Sequence, residues 1–282
     1  MSPPPLRSRR IEAPGVVVGG GAPPLLIAGP DSLESESLVL EIAAELRRLA
    51  EKLGLCAVFK GSYDKANRSS HGSYRGPGLE QGLALLRRAR EETGLAVTTD
   101  VHSVPEVERV ADVVDIIQIP AFLCRQNDLL AAAAATGKVV NIKKGQFLPP
   151  GSVPLRVAAA SGPDTPGVIV TERGSCFGHG DLVNDFRAFP AIRSHGTPLI
   201  FDATHSVQRP TALGDRSGGD RQLIPTLARA AAGAGVDGFF FEVHPRPDEA
   251  LCDGPSSLRL GDLEPLLGQL IAIDRVARGL DG

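Results

Sequence analysis

The chain has 282 residues, of which 42% are hydrophobic and 22% charged, and its formal net charge is −3 at pH 7. This balance excludes a disordered chain and argues against the broad basic face of a nucleic-acid-binding protein. No apolar run approaches the roughly 20 residues of a membrane-spanning helix, and residues 1–10 lack the apolar stretch of a secretory signal. We therefore expect a cytoplasmic protein that binds neither nucleic acid nor membrane.

Short apolar runs recur along the chain, and each is followed by turn or polar residues and then by a stretch of helical length. Continuous apolar runs of this length are typical of parallel strands that are buried on both faces of a sheet. The sequence therefore predicts eight strands within residues 25–30, 56–62, 96–102, 116–121, 139–144, 167–174, 198–205 and 238–245.

Amphipathic or alanine-rich segments between these runs predict helices. They cover residues 35–53, 78–93, 128–136, 220–233 and 262–278, whereas the fifth and sixth helices are poorly marked and residues 149–154 and 161–166 look like loops. Strands that alternate with helices pair in parallel through right-handed crossovers. Eight such units favour a single (β/α)8 TIM barrel over residues 25–282, preceded by residues 1–24 as a tail and a small cap on the barrel bottom. A doubly wound open sheet is the alternative, although no GxGxxG turn supports it.

Nearly every apolar run ends in polar residues that a buried strand normally avoids. A barrel gathers the carboxyl ends of its strands at one rim, where active sites form. A rim salt bridge could explain any single one of these residues, but eight strands with the same feature predict a shared site. The residues are Asp31, Lys60, Asp100, His102, Gln118, Lys143, Lys144, Glu172, Arg173, Asp202, His205, Glu242 and His244.

The segment 60–76 has the composition of a phosphate-binding loop. It carries four cations against Asp64 alone, and serines and glycines lie between them. Phosphate monoesters are bound by this mixture of positive charge, hydroxyls and accessible backbone amides. A solvated basic loop is the alternative. Because Lys143 and Arg173 add cations at the same rim, we predict binding of two phosphates, or of one phosphate and one carboxylate.

Four further residues form a candidate metal site, namely Asp31, His205, Glu242 and Asp253. Three carboxylates at the ends of different strands, if they converge on one cavity, repel one another unless a cation lies between them. Oxygen-rich ligands of this kind favour Mn²⁺, Fe²⁺ or Mg²⁺ over Zn²⁺. A hydrogen-bonded acid/base cluster without metal is the alternative, and no other cofactor is expected.

Several long segments together resemble the 3-deoxy-D-manno-octulosonate 8-phosphate synthase family. They are KGSYDKANRSSHGSYRGPGLEQG, TTDVH, IIQIPAFLCRQNDLL, NIKKGQF, TERGSCFG, FDATHSVQ, GDRSGG and EVHPRPDEALCDGPSSL, in the family's order, within residues 25–276. The resemblance implies a TIM-barrel enzyme that condenses phosphoenolpyruvate with D-arabinose 5-phosphate and water for lipopolysaccharide synthesis. The wider superfamily includes an enzyme that uses erythrose 4-phosphate, which is an alternative here.

The resemblance also assigns roles to the candidate residues. The substrate-binding residues would be Lys60, Lys143 and Arg173 for phosphoenolpyruvate, and Asn67, Arg68 and Ser69 for D-arabinose 5-phosphate. Arg125 would reach the sugar phosphate of a neighbouring subunit, so the resemblance implies a homotetramer.

The resemblance places the remaining candidates at the reacting atoms. Lys65 would lie near the reacting ends of both substrates, and Asp100 and Gln118 would line the reacting centre. His205, or a carboxylate such as Asp253, would transfer protons.

One position departs from both branches of this family. The metal-dependent branch has cysteine at the position of Asp31, and the metal-independent branch has asparagine. The segments AGP, FLCRQ, NIKKGQF and TERG resemble the first branch, whereas Cys252 before Asp253 resembles the second. Because a carboxylate ligates hard divalent ions, we expect a metal.

Two other functions fit part of the pattern. A Schiff-base aldolase would use Lys60 or Lys143 as its nucleophile. A non-catalytic sugar-phosphate-binding barrel would be consistent with the unusual Asp31.

Overall fold

Eight parallel strands form a closed barrel in the computed structural model, which describes residues 8–66, 74–176, 181–209 and 218–280. The barrel strands are β3 (Leu25–Gly29), β4 (Ala57–Lys60), β5 (Ala96–Asp100), β6 (Ile116–Ile119), β7 (Val139–Lys143), β8 (Val168–Glu172), β11 (Leu199–Asp202) and β14 (Gly238–His244). Each strand pairs with the next barrel strand in the chain, and β14 pairs with β3 to close the ring. The predicted TIM barrel is confirmed, and the open doubly wound sheet is wrong.

The helices surround the barrel in the order expected of βα units. They are α1 (Glu36–Leu53), α2 (Leu79–Thr93), α3 (Val104–Ala111), α4 (Asn127–Ala134), α5 (Val153–Ala159), α6 (Ala188–Arg193), α7 (Ile224–Ala234) and α8 (Leu260–Ala277). The five predicted helices are present with shifted ends. Within the described ranges, no helix is long and apolar enough to cross a membrane.

Three short helices had no predicted range: α3, and the poorly marked fifth and sixth helices, α5 and α6. Each has eight residues or fewer, so its apolar face is too short to produce a clear period. Helix α3 nevertheless begins with a capping box of Ser103 and Glu106, a sequence signal that could have marked its start. Helix α5 begins within the first predicted loop, so that prediction is wrong at Val153 and Pro154; Pro154 lies in the first turn of the helix, where proline is tolerated.

The N-terminal hairpin of β1 (Ile11–Ala13) and β2 (Val16–Val18) lies against the lower end of the barrel. Ile11, Val16 and Val18 are buried in one cluster with inward-facing residues of the barrel strands. The turn at Gly15 (φ 70°) lies so close to β5 that an added Cβ would be 3.0 Å from the Ala96 Cβ. The hairpin therefore covers the bottom, and the mouth at the carboxyl ends of the strands is the open end.

Several short strands lie at that mouth. They are β9 (Ser175–Cys176) with β10 (Leu182–Val183), β12 (Gln208–Arg209) with β13 (Gly218–Gly219), and β15 (Leu258–Arg259) beside the end of β14. They follow strands β8, β11 and β14, which carry candidate site residues at their ends.

The inward-facing residues change from apolar to polar along the barrel axis. Near the hairpin they are aliphatic or aromatic, for example Ile27, Val58 and Phe240. One pleat nearer the mouth they are polar and still buried, namely Lys60, Asp100, Gln118, Asn141, Lys143, Thr171, Asp202 and Glu242. The outward-facing residues between them pack under the helices. The fold thus holds a buried polar layer between an apolar floor and the mouth.

Candidate active site

Two buried ion pairs lie side by side at the mouth. The Lys60 Nζ donates to the Glu242 Oε1 at 2.6 Å and to the Asp31 carbonyl oxygen at 3.1 Å. The Lys65 Nζ donates to the Asp31 Oδ1 at 2.6 Å. Burial alone would lower the pKa of the Lys65 ammonium, but the negative charges around it, the Asp31 carboxylate first, together outweigh burial and hold that pKa well above its usual value. Each lysine is therefore paired with a carboxylate from another strand end.

A third ion pair joins β7 to β11. The Lys143 ammonium donates to the Asp202 carboxylate and lies 3.3 Å from the centre of the Phe240 ring. Asp202 also accepts hydrogen bonds from the backbone amides of Thr204 and His205, so its position is determined by several donors. Desolvation lowers the pKa of Lys143, although the Asp202 carboxylate opposes the shift.

His205 is oriented by the same carboxylate. Its Nδ1 lies 2.7 Å from the Asp202 Oδ2, so Nδ1 carries the proton and Nε2 presents a lone pair. Burial, reinforced by the charge of Lys143, lowers the pKa of His205 to about 4. The Nε2 faces two carboxylates, 3.9 Å from the Glu242 Oε1 and 4.0 Å from the Asp31 Oδ1. At neutral pH this group can accept a proton or bind a cation.

Two carboxylate oxygens beside His205 lack partners. The Asp31 Oδ2 and the Glu242 Oε2 are buried, and neither forms a hydrogen bond with any described residue. Burial, together with the Asp31 charge, raises the pKa of Glu242 to about 7, although Lys60 opposes the shift. Burial would also raise the pKa of Asp31, but Lys65 and Lys60 outweigh it and hold that pKa below its usual value. The centre therefore has room for one more positive charge, either a proton or a metal ion.

The arrangement fits a divalent ion. Asp31, His205 and Asp253 each offer one ligand atom, and these atoms lie within 4.8 Å of one another. Two carboxylates, one of which has an unpartnered oxygen at Asp31, and one neutral imidazole are suitable ligands for a hard divalent ion. Glu242, the fourth predicted ligand, lies outside this set of atoms, and its Oε1 is bound by Lys60. Its role as a ligand stays a prediction.

Asp253 adopts an uncommon backbone conformation at this centre. Its φ of 45° is in the left-handed region, which aspartate tolerates better than most residues. Its Oδ2 accepts a hydrogen bond of 2.6 Å from the Gln208 Nε2. The conformation and this bond orient the carboxylate toward Asp31 and His205.

Arg173 supplies a buried cation with an unused donor. Its Nη2 donates to the Gln208 Oε1 at 2.8 Å, whereas Nη1 has no partner within the part of the chain that the structure describes. The Glu172 carboxylate accepts from the backbone amides of Arg173 and Gly174 and so stabilises the turn that aims the guanidinium. A buried guanidinium with an unpaired N–H is suited to bind an anionic ligand.

Lys144 belongs to a different environment from its neighbour Lys143. Its Nζ lies 3.3 Å from the Glu172 Oε1, and it also donates to the Gly145 carbonyl at 3.1 Å. Successive side chains of a strand point to opposite faces, so only one of two adjacent lysines can face the barrel interior. Lys143 is the one that does.

Two groups of predicted site residues are not among the contacts described above. Asn67, Arg68 and Ser69 lie outside the described residues. Arg125 is exposed on the segment that follows the 3₁₀ turn Ala121–Leu123. The roles that the resemblance gives to these four residues stay predictions.

Sequence analysis missed polar residues in the barrel interior. Ser62, Asn141 and Thr171 are fully buried and bonded to predicted site residues or to one another. Asn141 and Thr171 lie within predicted strands, and the period of two would have placed them on the inner face. Neither lies at the end of its strand, and only the barrel register places Asn141 beside Gln118 and Thr171 beside Asn141.

Together, the fold and this site define a (β/α)8-barrel protein with a polar, cationic mouth of the kind that holds anionic ligands. The sequence profile of the DAHP synthetase I family matches residues 7–276. The chain is 52% identical over 271 residues to the 2-dehydro-3-deoxyphosphooctonate aldolase of Pelobacter propionicus, covering 96% of this chain and 100% of that protein. It therefore belongs to the DAHP synthetase I family.

Other relatives carry the same name. The protein of Desulfatibacillum aliphaticivorans is 54% identical over 260 residues, with 92% of this chain and 95% of the relative covered. That of Desulfotalea psychrophila is 51% identical over 258 residues, with 92% of each chain covered. The name is a synonym of 3-deoxy-D-manno-octulosonate 8-phosphate synthase, so the resemblance inferred from the motifs is confirmed.

The Asp202 charge should be essential for stability. In Asp202→Asn the buried Lys143 ammonium loses its counter-charge, so we expect the free energy of unfolding to fall by about 3 kcal/mol. Urea unfolding measures the change. Asp185→Asn, which alters an exposed pair with Arg187, is the control and should change the value by no more than about 0.5 kcal/mol. Equal small effects in both variants would mean that the buried pair contributes no more than a surface pair.

Proposed function

We propose that the chain condenses phosphoenolpyruvate with D-arabinose 5-phosphate and water to give 3-deoxy-D-manno-octulosonate 8-phosphate and inorganic phosphate. The observation that carries the proposal is a mouth with three buried cations, Lys60, Lys143 and Arg173, and a partly buried fourth, Lys65. The chain is also 52% identical to a relative named for an octonate phosphate. An octonate has eight carbons, and phosphoenolpyruvate supplies three. The other substrate must then supply five, which favours a pentose phosphate over erythrose 4-phosphate. The product would serve lipopolysaccharide synthesis, and the cytoplasmic location stays a prediction.

Binding of phosphoenolpyruvate would use the cations of the inner face. Arg173 offers its unpaired Nη1 to the phosphate or carboxylate, and Lys60 and Lys143 can redirect their ammonium groups from Glu242 and Asp202 toward the ligand. Because these cations are already held by the barrel strands, little reorganisation is needed when the anion arrives. The main task of such a site is to hold two anionic substrates against their mutual repulsion.

The reaction forms one carbon–carbon bond and one bond from carbon 2 to the oxygen of water, and it breaks the bond from carbon 2 to the phosphate oxygen. Carbon 3 of the enol attacks the aldehyde carbon, whose oxygen takes up a proton, and positive character develops at carbon 2. Water adds to carbon 2, and loss of phosphate then leaves the keto group. The His205 Nε2 would accept the proton of the attacking water, since its ring is neutral at pH 7 and its Nδ1–H is held by Asp202. Lys65 would act near the reacting ends of the two substrates.

A divalent ion would be held by Asp31, His205 and Asp253, with Glu242 beside them. When bound, Mn²⁺, Fe²⁺ or Mg²⁺ would supply positive charge that polarises an oxygen of the substrate or of water. Without an ion, the same residues form the acid/base cluster that is the alternative, and Lys65 then neutralises Asp31 alone.

Substrate choice tests the proposed reaction. With phosphoenolpyruvate present, phosphate release should depend on an added sugar phosphate. It should be at least about tenfold faster with D-arabinose 5-phosphate than with erythrose 4-phosphate, because the shorter sugar lacks one carbon unit and the contacts that the site makes with it. A colorimetric phosphate assay measures it. Faster release with erythrose 4-phosphate, or none with either sugar, would contradict the proposal. Covalent trapping by borohydride would indicate the Schiff-base alternative.

Metal removal tests the proposed ion. We expect Mn²⁺ to bind with a stoichiometry of about one per chain, and Asp31→Asn to weaken binding by roughly tenfold or more because one ligand charge is lost. Free Mn²⁺ in equilibrium dialysis gives the affinity independently of turnover, and Asp185→Asn should leave it unchanged. Full activity after verified removal of all divalent ions would contradict the metal and favour the acid/base cluster.

We further infer that the chain acts as a homotetramer in which Arg125 completes the sugar-phosphate site of a neighbouring subunit. Arg125 is exposed, and Phe122, Phe147 and Leu155 expose 55%, 53% and 63% of their surfaces. Phe147 lies against Gly145, close to the turn that carries Phe122. Exposed aromatic and aliphatic residues beside an arginine are typical of the centre of an interface.

Subunit mixing tests this arrangement. Arg125→Ala and Lys60→Ala should each reduce activity strongly, because each removes a charge from the proposed site. After the two variants are dissociated and reassembled together, sites with both native residues form again, and activity should rise several-fold above either variant. Arg47→Ala, on the outer helix α1, is the control in place of Arg125→Ala. It should have native activity by itself, and mixing it with Lys60→Ala should give only the average of the two activities. No gain on mixing, or a monomer in sedimentation, would contradict the shared site.

A further inference from the structure

A continuous chain of hydrogen bonds crosses the barrel interior, and we call its five members the polar belt: Ser62, Asp100, Gln118, Asn141 and Thr171. The Thr171 Oγ1 donates to the Asn141 Oδ1 at 2.7 Å, and the Asn141 Nδ2 donates to the Gln118 Oε1 at 3.0 Å. The Gln118 Nε2 then donates to the Asp100 Oδ1, and the Ser62 Oγ donates to the Asp100 Oδ2 at 2.8 Å. None of the five is more than 9% exposed. The belt thus joins β8 to the loop after β4.

The barrel register places the belt directly above the apolar floor. Asp100 is the cross-strand partner of Gln118, and Gln118 is the partner of Asn141. These three side chains therefore lie at one level on the inner face, and Thr171 adjoins them from β8. The belt ends at Ser62, whose Oγ accepts a hydrogen bond of 3.0 Å from the Lys65 Nζ.

The charge of Asp100 determines the direction of every hydrogen bond in the belt. An ionised carboxylate can only accept, and the Lys60 and Lys65 charges outweigh the effect of burial and hold the pKa of Asp100 below its usual range. Gln118 must therefore present its amide nitrogen to Asp100 and its oxygen to Asn141. By the same reasoning Asn141 presents nitrogen to Gln118 and oxygen to Thr171, whose hydroxyl must donate.

The far end of the belt prevents the two amides from flipping. If the Thr171 hydroxyl were absent, the Asn141 oxygen would be buried without a donor, and a flipped Asn141 would place its oxygen against the Gln118 oxygen. Relief of that contact by a second flip would turn the Gln118 oxygen toward the Asp100 carboxylate. Asp100 would then lose one of its two side-chain donors and rotate. This rotation would displace the Ser62 hydroxyl, which accepts a hydrogen bond from Lys65.

We propose that Asn141 and Thr171 are positioning residues for the condensation: through Gln118, Asp100 and Ser62 they hold the Lys65 ammonium where the two substrates react. The proposal rests on the proposed function, because Lys65 has its role at the reacting ends only in that reaction. A small displacement of a catalytic group can reduce the rate by up to about 100-fold. The belt should therefore affect the rate of the chemical step more than the binding of either substrate.

Substitutions at Thr171 test the proposal with a matched control. Thr171→Val keeps the shape and removes the donor, Thr171→Ser keeps the donor, and Thr99→Val removes a buried hydroxyl that has no hydrogen-bond partner among the described residues. We expect kcat to fall roughly tenfold in Thr171→Val, with both KM values within about twofold of native. Thr171→Ser and Thr99→Val should keep kcat within about twofold. Circular dichroism at the assay temperature checks that each variant is folded.

Several results would contradict the proposal. Native kcat in Thr171→Val, an equal loss in Thr99→Val, or a loss in KM alone would overturn the positioning role. Failure of Thr171→Ser to retain activity would also overturn it, because the hydroxyl would then not be the group that matters.

A measurement without turnover separates the belt from the proposed function. Thr171 and Gln118 are linked through Asn141, so the melting temperatures of Thr171→Val, Gln118→Met and the double variant should be non-additive, with a smaller loss in the double variant than the sum. Additive losses would overturn the belt itself. If the native chain released no phosphate with D-arabinose 5-phosphate, the proposed function would fail and the positioning role with it, while a non-additive cycle would still support the belt as a structural unit.

Discussion

The structure depends on one constraint, which is that a charge inside the barrel must have a partner of opposite sign. Lys60, Lys65 and Lys143 are each paired with a carboxylate that comes from a different strand end. Removing one member of such a pair leaves the other buried and uncompensated, at a cost of several kcal/mol. The ion pairs therefore connect the strand ends around the mouth, and the same groups that would bind substrates also hold the site together.

This pairing explains how a cationic site can exist in a chain with a net charge of −3. The cations are neutralised by their carboxylate partners before a ligand binds, and an incoming phosphate can replace those carboxylates as acceptor. Arg173 differs from the lysines because one of its buried N–H groups has no acceptor within the described ranges. Arg173 is therefore the cation best suited to bind an anion. The Glu172 carboxylate, which accepts a backbone hydrogen bond in the turn that follows Arg173, is itself paired with Lys144.

Asp31 takes part both in the ion pair with Lys65 and in the candidate metal site. One of its oxygens accepts from Lys65, and the other is unpartnered among the described residues and belongs to the cluster that could hold an ion. Neither a cysteine nor an asparagine at this position would provide both a carboxylate charge for Lys65 and a second hard ligand. The polar belt ends at the same lysine, so Lys65 is positioned from both sides, by Asp31 and by Ser62.

The eight strands and the polar ends of those strands could be predicted from the sequence, because continuous apolar runs and their interruptions are local patterns. The motifs with KANRSS and DATHSVQ were sufficient to indicate the family. The partners of the charged residues could not be predicted, since Lys60 and Glu242 are separated by 182 positions and meet only because the last strand closes on the first. For the same reason the belt was missed: Asn141 and Thr171 are ordinary polar residues in sequence, and only the barrel register places them against Gln118 and Asp100.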